Sequence, residues 1–222
     1  IGTLGREAYN FVDLLGDLKQ KYWQVLPVGP TIFGDSPYQP SSGCAGNIYF
    51  IDLDKLVDEG LLEREEILEY NWGTDESEID YAALHQNRCK ILQKAFERFD
   101  TNAQEFQDFV KKQSEWLEQY ALFMTLKTDN LYKNWSEWPS EYRNTQTVAL
   151  EKYQKRNYNT ITFWKFCQYK FFEQWEDLKN YANSKGIYII GDISFYVGYD
   201  SVDVWAERQL FMTVSYTHLT LP

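Results

Sequence analysis

The sequence predicts an α/β fold in which strands and helices alternate, as in a parallel sheet or barrel, interrupted by a large helical insertion. Three observations carry this. An amphipathic stretch from Arg6 to Lys21 runs directly into a short apolar, aromatic and β-branched run, Tyr22–Val28, which is the helix-then-strand phrase of parallel α/β proteins. That run ends in a long segment rich in Gly, Pro and Ser. A second apolar run, Ile187–Ile190, follows only after about 130 residues of mostly helical pattern, too long for an ordinary connection.

Taken in order, IGTLG reads as a glycine-punctuated loop entering the first helix, whose apolar face is Ala8, Phe11, Val12, Leu14, Leu15 and Leu18. Trp23, Val25, Leu26 and Val28 form the first strand, broken by Gly29-Pro30. The segment GDSPYQPSSGCAGN has no helical period, and its place after a strand marks it as a binding loop. Asp52–Leu62 and Glu63–Tyr70 read as short helices, and Ala82–Phe99 as a longer one. Asp100-Thr101 is a cap-like start for a further helix with Phe106, Phe109, Val110, Trp116, Leu117, Tyr120, Phe123 and Met124 on its apolar side. Pro139 breaks an irregular stretch, and one or two more helices fill Thr147 to Lys185. Trp164, Phe171 and Trp175 recur at roughly helical spacing, which makes them packing residues rather than a sugar platform. Gly186 stands at a helix C′ position, and the buried strand Ile187–Ile190 ends in Gly191-Asp192.

The balance of 22 basic and 33 acidic residues gives a net charge of −11, which argues against nucleic acid as a partner and is neutral toward an uncharged substrate. No apolar run reaches the length of a membrane-spanning helix, and no signal peptide is visible. Cys44, Cys89 and Cys167 are odd in number and far apart, with no CxxC, which fits a reducing cytoplasm. No Walker loop, GxGxxG or Ser-His-Asp arrangement can be read; His85 lies on a polar helical stretch. Nothing points to a cofactor. Asp192, Asp200 and Asp203 could form a carboxylate cluster, but hard cations want about six oxygens and no matching set is visible, so a metal site is not expected.

The residues also carry a family resemblance. WQVLPVGPT, GDSPYQ, AGN and IDLDKL, then GIYIIGDISFYVGYDSVDVW from Gly186 to Trp205, closely resemble two signature blocks of the 4-α-glucanotransferases (amylomaltase or disproportionating enzyme, glycoside hydrolase family 77). This resemblance implies a partial (β/α)8 TIM barrel with a large helical insertion. Residues 1–53 would supply the second barrel strand and its substrate loop, 54–185 the insertion, and 186–211 the third strand and following loop. Similarity stops after WAERQLF, and Met212–Pro222 reads as a non-native tail. The implied activity is transfer of α-1,4-glucan segments between maltodextrins by retaining double displacement in the cytoplasm, with maltooligosaccharides as ligands. The implied nucleophile Asp and acid/base Glu sit in later motifs resembling DHFRG and EDLG. Neither occurs here, so the chain reads as an N-terminal fragment without its own catalytic carboxylates. The alternatives are an α-glucan hydrolase of related fold or a non-catalytic glucan-binding or scaffold protein.

Asp192 is the leading site residue. At the end of a strand it can orient sugar hydroxyls, while on residue pattern alone a turn or cap Asp is equally expected. The resemblance places it at the sugar of the cleavage subsite, in a non-nucleophilic role. Tyr38 follows: its ring offers an apolar face and its hydroxyl a polar edge, and the resemblance sets it beside the scissile bond with Ser36 and Asp35 shaping the loop. Phe33 stands where many relatives carry Tyr, at a glucan-contacting position outside the cleft. Asp203 is expected to cap or orient the helix around Trp205.

Overall fold

In the computed structural model, which describes residues 2–32, 35–75 and 78–211, helices dominate an α/β chain whose sheet has two parallel strands. The elements are α1 (Arg6–Asp17), β1 (Tyr22–Gln24), α2 (Leu53–Asp58), α3 (Arg64–Leu68), α4 (Tyr81–Arg98), α5 (Gln104–Lys112), α6 (Ser114–Asp129), α7 (Ser140–Arg143), α8 (Thr147–Arg156), α9 (Tyr158–Ser184), β2 (Tyr188–Ile190) and α10 (Val202–Ala206). Strand β1 pairs with β2 in parallel, Tyr22 opposite Tyr188 and Gln24 opposite Ile190.

The 27-residue α9 is the spine. Phe163, Trp164, Phe166, Phe171 and Leu178 are buried along it, so the aromatic-dense stretch packs the core. Phe99 meets Phe106 at 5.3 Å and Phe166 at 4.8 Å between ring centroids, which knits α4, α5 and α9 together. Gly186 at φ +75° ends α9 in a left-handed turn, with its N–H bonded to the Asn183 carbonyl and that of Ile187 to the Ala182 carbonyl. A Cβ there would be strained, so the chain can reverse into β2 cheaply only with Gly.

Several elements depart from the sequence expectation. Both strands hold only three residues, and Tyr22, Tyr188 and Ile190 are exposed rather than buried. Among the described residues each strand has one strand neighbour, which leaves each an outer edge without a strand partner. The helix expected to start at Asp100-Thr101 starts at Gln104 after Ala103; the Asp100 carboxylate instead accepts the Asn102 N–H in a tight turn. That helix is two, α5 and α6, divided at Gln113. Leu14 and Leu18 of the first apolar face are exposed, while Ala8 and Val12 carry the packing.

Candidate functional site

The site forms where two loops meet beyond the C-terminal ends of β1 and β2. The first loop is shaped by buried glutamines of α9. Gln168 accepts the Gly46 N–H at 2.8 Å and donates to the Gly46 carbonyl at 3.0 Å. Gln174 repeats this at Asp52, accepting its N–H at 2.7 Å and donating to its carbonyl at 3.2 Å. Each side-chain amide thus replaces a strand neighbour for one loop peptide, satisfying buried backbone groups that lack secondary structure. Gly46 is required by proximity: a Cβ there would stand 1.9 Å from Phe171 Cδ1.

Further along this loop Thr31 and Pro40 form an isolated bridge, and Asp35 takes φ 53° with its N–H on the Ile32 carbonyl. Ser36 Oγ accepts the Tyr38 N–H at 3.3 Å, turning the chain so that the Tyr38 ring projects outward. There Tyr38 Oη donates to Asp192 Oδ2 at 2.8 Å, joining residues 154 positions apart. Donation to that carboxylate is the main cause that raises the Tyr38 phenol above its ordinary value, so the hydroxyl stays protonated. Asp192 Oδ1 accepts the Ile193 N–H at 2.8 Å. Each carboxylate oxygen retains a free lone pair, so this exposed pair can accept sugar-type hydroxyls and offer a ring face beside them. Ser194 Oγ donates to the Pro37 carbonyl at 3.1 Å, a second stitch between the loops.

The structure brings Tyr38 and Asp192 into direct contact, with Ser36 and Asp35 behind them, and Phe33 lies outside the described residues. The three late aspartates separate. Asp200 pairs with Lys127 and accepts the Trp135 N–H at 3.1 Å. Asp203 accepts the Gly43 N–H at 3.0 Å, so it ties α10 to the first loop; the α10 cap is Ser201, whose Oγ accepts the Val204 N–H. Among the described residues no group of three His, Cys, Asp or Glu side chains comes together to hold a metal ion.

Sequence reasoning missed a cavity of about 600 Å³ behind the first loop, reached by Asp35, Asn47, Tyr49, His85 and Tyr132. His85 was placed on a polar stretch, yet its ring meets Tyr132 at 5.2 Å on the cavity wall. The available signal was Cys89, one turn on, which lines the same cavity. Tyr38 and Asp192 lie outside it.

Comparison with known proteins bears on what this geometry serves. Residues 1–217 match the sequence model of the 4-alpha-glucanotransferase family. The chain belongs to that family. It is 43% identical over 213 residues to the 4-alpha-glucanotransferase of Clostridium butyricum, covering 96% of this chain and 44% of the relative. It is 44% identical over 218 residues to that of Streptococcus pneumoniae, covering 96% of this chain and 43% of the relative. Its structure superposes on an amylomaltase from Streptococcus agalactiae in complex with acarbose with a TM-score of 0.90 at 40% identity, over 95% of this chain and 43% of that one. The chain therefore spans less than half the length of these 4-alpha-glucanotransferases. Among the described residues no helix is long and apolar enough to cross a membrane.

Proposed function

We propose that this chain is the donor-binding part of a cytoplasmic 4-α-glucanotransferase that moves α-1,4-glucan segments between maltodextrins. In this reading β1 and β2 are neighbouring strands of a (β/α)8 barrel, residues 1–53 and 186–211 are barrel parts, and 54–185 form a helical insertion. The observation that carries the proposal is the contact between Tyr38 Oη and Asp192 Oδ2 at the open ends of the parallel strands. It gathers the two residues singled out for glucan binding at the face where barrel enzymes bind substrate. The likeness to an amylomaltase in complex with acarbose supports a glucan-type ligand.

The chemistry is a double displacement. A carboxylate nucleophile attacks the anomeric carbon while an acid protonates the departing sugar oxygen. A sugar 4-hydroxyl, its proton taken by the same acid/base group, then releases the glycosyl chain. Neither carboxylate is assigned to a residue of this chain. Tyr38 and Asp192 hold the donor sugar, Ser36 and Asp35 shape the loop, and Phe33 contributes a stacking face outside the cleft.

The test replaces the matching portion of the Streptococcus agalactiae amylomaltase with residues 1–211 of this chain and follows maltotriose disproportionation. Glucose together with longer maltodextrins is expected, falling at least tenfold with Asp192→Asn and several-fold with Tyr38→Phe. A soluble, folded chimera that only shortens maltodextrins, or an Asp192→Asn chimera as active as its parent, refutes the proposal. The chain alone is expected to transfer no glucan.

A further inference from the structure

The segment that leaves Asp192 starts exposed: Ile193, Phe195 and Tyr196 are 71%, 88% and 81% accessible. Apolar burial at these positions cannot fix its path. What meets it further on is a buried polar assembly reaching out from the helices. Trp135 Nε1 donates to the Tyr199 carbonyl at 2.7 Å, and the two rings lie 5.0 Å apart. Asp200 Oδ1 accepts the Trp135 N–H, and Asp200 Oδ2 pairs with Lys127 Nζ, whose side chain is only 7% accessible.

The turn that presents these groups is unusual. Leu131 and Tyr132, just beyond α6, both adopt left-handed backbone, φ 54° and 58°, although neither is glycine. Such conformations persist where surrounding contacts impose them. Here the Tyr132 and Lys133 carbonyls both converge on Lys127 Nζ, at 3.3 and 2.9 Å, and Asp200 completes the ammonium's partners. One buried charge therefore holds a strained turn on one side and the Asp192-bearing segment on the other.

We propose that Lys127 and Trp135 are positioning residues of the candidate site, which fix the 192–200 segment against the Tyr38 loop through Asp200 and Tyr199. The helical region, in this view, sets the geometry of the sugar-binding pair without touching a sugar. The role proposed for the pair rests on the glucan-binding reading of Tyr38 and Asp192; the anchoring itself does not.

The test is amide hydrogen exchange, read by peptide mass spectrometry, on the full chain and on Lys127→Met and Trp135→Phe, with and without maltotriose. In Lys127→Met, the bonded amides of 202–206, among them the Val202 N–H that Asp200 leads onto the Ser41 carbonyl, are expected to exchange at least tenfold faster while those of α9 keep their rates. Trp135→Phe, which loses the bond to the Tyr199 carbonyl and part of the ring's contact with Tyr199 and with the Arg208 guanidinium, is expected to give a smaller rise confined to the same peptide. This gentler variant keeps the question open to measurement should Lys127→Met fail to fold. Maltotriose is expected to slow exchange around 188–200 in the unsubstituted chain and to need at least tenfold higher concentration to do so in Lys127→Met. Unchanged exchange at 202–206 in the substituted chains overturns the proposal, as does an equal rise in α9. Faster exchange at 202–206 without any maltotriose effect in the unsubstituted chain upholds the anchoring and counts against the glucan reading instead.

Discussion

Gly46→Ala is a sharp test of how the first loop is held. The new Cβ would sit 1.9, 2.1 and 2.4 Å from three Phe171 ring atoms. Ordinary contact begins near 3.4 Å, so roughly 1.5 Å of movement is needed in a core packed like a crystal. Phe171 is 1% exposed and has no open side to turn into. Overpacking of this kind costs about 1–3 kcal/mol. If the loop yields instead, both amide bonds to Gln168 lengthen, at about 1 kcal/mol each. By either route the expected loss is about 1–3 kcal/mol, a sizeable share of the roughly 5–15 kcal/mol that holds a typical domain together. Urea unfolding followed by far-ultraviolet circular dichroism measures it directly. Phe171→Ala alone should cost about 3–5 kcal/mol. In the double variant the space vacated by the ring accepts the new methyl, so the two losses should fall short of their sum by about 1–3 kcal/mol. A loss under about 1 kcal/mol for Gly46→Ala, or strict additivity in the double variant, would refute the reasoning.

Three further outcomes are expected. Glu66 is held at a pKa of about 2, chiefly by the Arg98 guanidinium and then by the Glu63 N–H. A carboxylate lowered in the fold stabilises above its ordinary range, so Glu66→Gln should cost about 1 kcal/mol near neutral pH. That difference should fade as pH drops from about 4.5 toward 2, and melting curves across the range would contradict this if the gap persisted at the acid end. Burial pushes the Cys89 thiol up to about 11 and that of Cys167 well above its usual value, whereas Cys44 is exposed. A disulfide exchange reagent at pH 8 should therefore modify one thiol in the folded chain and three after unfolding; two fast thiols with the fold intact would count against it. Finally, Ile193, Phe195 and Tyr196 form an exposed apolar patch. Replacing all three by Ser should lower fluorescent-dye binding and self-association severalfold, and light scattering unchanged by the substitutions would contradict this.

What the sequence disclosed and what it withheld divide along chain distance. The acidic end of the second strand was a local pattern, though it fitted a turn or cap equally well until the resemblance gave Asp192 its weight, and Gly186 was legible because a glycine after a long helix has one common use. The Gly-, Pro- and Ser-rich loop after the first strand was readable for the same reason. That the Tyr38 hydroxyl meets the Asp192 carboxylate was not readable from local pattern, since their positions are 154 apart. Gln168 and Gln174 were passed over altogether: two polar residues in an aromatic-rich helix read as its solvent side, yet they are 0% and 1% exposed. Their burial follows from the irregular loop they serve, whose unpaired peptides demand partners. Asp100 shows the reverse error: a short-range capping rule assigned it to a helix start, while its carboxylate serves a turn of its own. Asp203, expected to cap or orient α10, does the second through the Gly43 N–H, and Ser201 does the capping.

The parallel pairing of β1 with β2 has a kinetic consequence. Tyr22 and Tyr188 are partners at opposite ends of nearly the whole chain. Closing a flexible loop of about 165 residues would cost about 4.5 kcal/mol by (3/2)RT ln n, and three residue pairs of exposed strand return little of that. The strands can meet only after the intervening helices have already drawn the two ends together, α1 and β2 both packing on α9. The sheet, with the Tyr38–Asp192 contact at its rim, is then expected to form after α1 has docked on α9, and during synthesis it waits until α9 has left the ribosome.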